Sequence, residues 1–79
     1  MSKKLTVKAF WDPEARVWVA DSDDVPGLVA EADTVEQLIE KLHLLIPILL
    51  QENGVLNAED ASEIPFYLYS ERMETLRCG

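Results

Sequence analysis

Val17-Trp18-Val19-Ala20-Asp21-Ser22-Asp23-Asp24-Val25-Pro26-Gly27-Leu28-Val29-Ala30-Glu31-Ala32-Asp33-Thr34-Val35-Glu36-Gln37-Leu38 is the stretch that decides the fold. Alternating residues at its start read as a strand, and an acidic polar connection then ends in Pro26-Gly27. Leu28 to Ala32 is short and extended enough for another strand. Thr34 and Gln37 then stand at capping-box spacing, with Asp33 and Glu36 placing negative charge where a helix dipole favours it. The stretch therefore predicts strand, turn, strand and a helix starting after Thr34.

Upstream, Leu5, Val7, Ala9 and Trp11 alternate with Lys4, Thr6, Lys8 and Phe10, the period of a half-buried strand from Lys4 to Asp12. Asp12-Pro13-Glu14-Ala15 has turn chemistry, so residues Arg16 to Asp21 are expected to return antiparallel. On this reading Val17 and Val19 are buried beside Leu5 and Val7, while Trp18 and Phe10 fall on the opposite face. Downstream, Val35, Leu38, Ile39, Leu42, Leu45, Ile46, Leu49 and Leu50 form one apolar helical stripe that covers the sheet. Pro47 predicts a kink near residues 43 to 47, and Gly54 is a natural stop. Residues 55 to 63 read as an acidic loop with a short turn from Asn57, and Ile64 to Tyr69 as a last strand that Pro65 confines to an edge or a start. The expected fold is α+β, βββαβ, with a small mixed sheet in the order 3-2-1-4 and one helix packed on one face.

Composition limits the function. A chain of 79 residues makes one domain with one modest core, here about 4 to 70 with a fraying tail from 71 to 79. Fifteen acidic against seven basic residues give a net charge of −8, which repels nucleic-acid phosphates and favours a basic protein partner. No apolar run approaches a membrane span, and Met1-Ser2-Lys3-Lys4 leads into a strand pattern, so the cytoplasm is the expected location. The lone Cys78 forms no internal disulfide, in keeping with a reducing compartment.

Asp21, Asp23, Asp24, Glu31 and Asp33 form the most conspicuous polar group. They lack the alternating ligands and closing Glu of a calcium loop, so a metal ranks below a contact patch for a basic partner, and both rank below plain solvation. His43 is the only histidine and flanks the helical stripe without a Ser or Cys nucleophile to serve. There is no Gly-rich phosphate loop, Cys/His metal spacing or triad order, so no enzyme, cofactor or metal is expected. Phe10 and Trp18 on the open sheet face, with Leu44 and Ile48 on the far side of the helix, favour self-association, a dimer before other sizes. Tyr67 and Tyr69 extend the aromatic face if the last strand lies beside the first.

The pattern of an aromatic in a strand, Asp24-Val25-Pro26-Gly27, a short strand, and Thr34 before an acidic amphipathic helix resembles HicB-like antitoxins. The resemblance runs from about Leu5 to Asn53, is strongest over Val17 to Leu42, and is closest to single-domain members. It implies a partial ribonuclease-H-like unit that oligomerises and covers a small basic HicA-type mRNA-cleaving toxin. Longer members add a C-terminal DNA-binding domain, for which this sequence has no room, and the Gly often found before the helix Thr is here replaced by Glu31-Ala32. Operator binding is therefore not implied, and an orphan role stays open. The alternatives to an antitoxin are a small oligomeric ligand-binding or regulatory domain and, third, a vestigial metal-dependent nuclease.

Overall fold

The computed structural model describes residues 5–54 and 64–78. The chain runs β1 (Leu5–Asp12), β2 (Val17–Asp21), β3 (Val29–Ala32), α1 (Val35–Glu52) and β4 (Phe66–Glu71). The strands form one sheet in the order β3-β2-β1-β4, with β1 antiparallel to β2, β2 antiparallel to β3, and β4 parallel to β1. This is the expected βββαβ fold. The acidic loop and the turn from Asn57 lie outside the described residues.

One face of the sheet is buried by α1. Leu38, Leu42, Ile46 and Leu50 recur every fourth residue and are the fully buried row of the helix. They pack in one cluster with Leu5, Val7, Ala9, Ala20, Ala30 and Ala32. The middle of the sheet thus presents methyl-sized side chains, which let the long leucines seat close to the backbone. Trp18, Leu45, Leu49, Ile64, Phe66 and Leu68 close the margins.

The phase of β2 is opposite to the sequence expectation. Val19 pairs with Phe10 and Ala20 with Ala9, so Ala20 and Trp18 face the helix while Val17 and Val19 share the open face with Phe10. Trp18 packs on the core margin and meets Trp11 edge-on, with ring centroids 5.7 Å apart. Both faces of β2 are apolar, so alternation alone cannot assign them. The hairpin decides, because the Arg16 N–H donates to the Asp12 carbonyl at 2.7 Å and fixes Asp12 opposite Val17. Asp12 Oδ1 accepts from the N–H groups of Glu14 and Ala15, and Arg16 takes a left-handed φ of 58° to close the loop.

Beyond Asp21 the chain leaves β2, but β1 continues and its Thr6 would lose its ladder partners. Side chains replace them. The Thr6 N–H donates to Asp24 Oδ2 at 2.9 Å, the Ser22 hydroxyl donates to the Thr6 carbonyl, and the Asp24 N–H donates to Ser22 Oγ. The next residues turn sharply, with Gly27 at φ 81° and the Leu28 N–H donating to the Val25 carbonyl, the geometry Pro-Gly is suited to. The turn buries Val25 and Leu28 and is tied to the end of α1 by Asn53 Nδ2, which donates to the Pro26 and Leu49 carbonyls.

Thr34 caps α1 as expected, its Oγ1 accepting from the Gln37 N–H at 3.1 Å, although among the described residues Gln37 makes no return bond from its side chain. The helix continues through Pro47 as one element and stops at Asn53 and Gly54, the latter at φ 71°. The last strand begins and ends two residues later than its alternation suggested, because Pro65 has no N–H for the ladder while Ser70 and Glu71 still find partners on Ala9 and Phe10.

Replacing Thr34 by Ala should cost about 1 kcal/mol of stability, read from the urea midpoint, because an N-terminal amide of the helix loses its acceptor. Asp24→Ala should cost about 1–2 kcal/mol in the same titration, since it strips the Thr6 amide of its partner at a half-buried site.

Candidate functional site

Because α1 takes one face, no element among the described residues covers the other face of the sheet. Phe10 on β1 and Tyr67 and Tyr69 on β4 are exposed there, with Val29 on β3 74% exposed and Val17 and Val19 half-buried between them. The two tyrosines do extend the aromatic face, since β4 lies beside β1.

At the end of this face where β2 meets the 22–24 loop, Thr6, Lys8, Phe10, Asp21, Asp23, Asp24, Tyr69 and Glu71 line an open concavity of about 840 Å³. Each strand contributes by simple alternation. Residues Thr6, Lys8 and Phe10 point the same way from β1, Tyr69 and Glu71 stand opposite Lys8 and Phe10 on β4, and Asp21 stands opposite Lys8 on β2. The walls carry three exposed carboxylates, Asp21, Asp23 and Glu71, against one exposed ammonium, Lys8. A cationic side chain entering here would meet the carboxylates and the aromatic residues Phe10 and Tyr69 that line the same walls.

The five acidic residues singled out in the sequence do not gather at one place. Asp21 and Asp23 sit at the concavity with their side chains exposed. Asp24 also lines it, but its carboxylate is committed to Thr6 and holds the loop to β1. Glu31 is exposed on the same open face opposite Val19, on the edge strand β3 and away from the concavity. Asp33 lies past Ala32, which pairs with Trp18 at the far end of β2, so it belongs to the helix start instead. The antiparallel return of β3 separates what sequence proximity suggested. Glu71, missing from the original set, joins because β4 runs two residues further than its hydrophobic alternation signalled.

The self-association residues are likewise divided. Phe10 is 41% exposed on the open face, and Leu44 and Ile48 are 70% and 51% exposed on the outer side of α1. Trp18 is on neither surface, being packed at the margin of the core. His43 is exposed and stands edge-on to Phe66, with centroids 5.6 Å apart, where it shields the end of β4. Among the described residues no three of His, Cys, Asp and Glu stand close enough together to hold a metal ion, and no helix is long and apolar enough to cross a membrane.

A solved structure of a hypothetical protein from the extremely thermophilic bacterium Thermus thermophilus is similar to this chain at 50% identity, covering 96% of this chain and 100% of that one, with a TM-score of 0.69. No protein of curated function matches. The family model described as a domain of unknown function, DUF1902, matches residues 4–78, a span that takes in the whole sheet, the helix and the concavity; the chain belongs to that family.

Proposed function

We propose that this chain is a protein-binding module of the HicB-like antitoxin type, one that covers a small basic HicA-type mRNA-cleaving toxin and acts as a homo-oligomer in the cytoplasm. The observation that carries this reading is the bare sheet face, where apolar and aromatic side chains are edged by Asp21, Asp23, Glu31 and Glu71. Apolar area with a charged rim is the composition of a protein-recognition surface, the centre giving affinity and the rim giving rate and selectivity. The net charge of −8 adds long-range attraction for a basic partner and opposes direct contact with nucleic acid. An acidic rim would attract the positive charge of a small basic toxin.

The concavity beside Lys8 and Tyr69 supports a second reading, a small oligomeric domain that binds a metabolite or regulatory ligand. A short basic reading frame next to this gene favours the first reading, and a solitary gene the second.

The basic partner should associate faster at low salt, because exposed charges are screened beyond a Debye length of about 10 Å at 0.1 M. Asp21→Asn/Asp23→Asn should slow association roughly three- to ten-fold in stopped-flow measurements at low ionic strength and leave dissociation nearly unchanged. A rate indifferent to salt and to both substitutions would remove the acidic rim from recognition.

A further inference from the structure

Residues 72–78 follow β4 without regular secondary structure, and every one of them is exposed. Met73 and Leu76 are each 89% exposed, although both are large and apolar. At the root of this arm the Arg72 guanidinium lies 4.1 Å over the Trp11 ring and Arg72 Nε lies 2.9 Å from Glu74 Oε1. With every residue exposed, the arm is not buried against its own sheet.

β4 is also an edge of the sheet. Thr6 gives its N–H and carbonyl to Asp24 and Ser22 on the β2 side, so Leu5, Val7 and Ala9 serve β4. Alternation along the parallel ladder then leaves the backbone groups of Leu68 and Ser70 pointing outward. They have no partner among the described residues. The opposite edge is treated differently: there Lys41 Nζ donates to the Glu31 carbonyl at 2.6 Å and β3 has only four residues, both of which discourage pairing.

An unpaired edge that continues into an exposed arm free of regular structure can complement a second copy of itself. We infer that two copies pair β4 to β4 in antiparallel fashion, each arm adding itself as a strand along the other's β4 edge, so that the two sheets become one across a two-fold axis. This specifies how the self-association proposed above is built. Charge selects the register. Outward-facing residues must pair with outward-facing residues, which leaves centres on Arg72, Met73 or Glu74 as the nearby choices. A centre on Arg72 sets that arginine against its own copy, and a centre on Glu74 does the same to the glutamate. A centre on Met73 instead sets Arg72 against the partner's Glu74 twice over, brings Arg77 opposite the partner's Tyr69, and packs the two Met73 side chains together. In that register Ser70 stands opposite the partner's Leu76.

Paired residues of this kind have Cα atoms about 5.5 Å apart, within disulfide reach. Ser70 and Leu76 are exposed, so cysteines there leave the core alone. The variant Ser70→Cys/Leu76→Cys/Cys78→Ser should form a covalent dimer under mild oxidation, whereas Ser70→Cys with the native Cys78, which pair only in the register centred on Glu74, should not. In sedimentation equilibrium the unmodified chain should be a dimer. Leu76→Pro, which removes a ladder N–H from an exposed segment, should weaken it at least about ten-fold with an unchanged circular dichroism spectrum. A monomeric unmodified chain at high micromolar concentration would sink both this pairing and the self-association it rests on. A dimer that resists Leu76→Pro, gives no cross-link and dissociates with Leu44→Glu/Ile48→Glu would overturn the arm pairing alone and move the contact to the outer face of α1.

Discussion

Leu38, Leu42, Ile46 and Leu50 seat on a sheet face floored by Ala9, Ala20, Ala30 and Ala32, and this contact holds every other element in place. Burying one such leucine is worth about 1.5–3 kcal/mol relative to leaving it in water, and no other layer in the described chain offers comparable burial. Small floor residues are part of that contact, because a larger side chain at Ala9 or Ala20 would lift the helix from the sheet and open gaps on either side. The cap at Thr34, the hairpin at Asp12 and the Pro26-Gly27 turn all serve to deliver strands and helix to this one interface.

Among the described elements a single helix covers only one face, and the candidate surfaces follow from that deficit. The bare face presents Phe10, Val29 and Tyr69 to solvent, and the loop that leaves β2 curls a group of carboxylates around one end of it. Asp24 illustrates how closely structure and surface are joined there. Its carboxylate replaces a missing ladder partner for Thr6, and by fixing the loop it holds Asp21 and Asp23 where a cation approaching the face would meet them. The same economy of material leaves β4 as an open edge with the arm 72–78 projecting beyond it. A domain of this size has much surface for its core, and the apolar area that the helix does not cover is what the proposed contacts with other chains would use.

Features set by near neighbours along the chain were legible in the residues alone. The alternation of β1, the apolar stripe of α1, the Thr34 cap and the Pro26-Gly27 turn each follow from residues within a few positions of one another. Together they establish the element order and, with the rule that connections stay short, the sheet order. Features that require a phase or a distance between elements came only with the folded arrangement. Val17-Trp18-Val19-Ala20 is apolar on both sides, so the choice of buried face waited on the hairpin register, which put Ala20 against Ala9 and withdrew Trp18 from the open surface. Asp33 is near Asp21 in sequence, yet the return of β3 carries it to the other end of the sheet, while Glu71, far from Asp21 along the chain, reaches the wall of the same concavity through the parallel pairing of β4 with β1. Hydropathy periods report how one element meets its own surroundings; which side chains share a face depends on the pairing of backbones, and no local pattern encodes that.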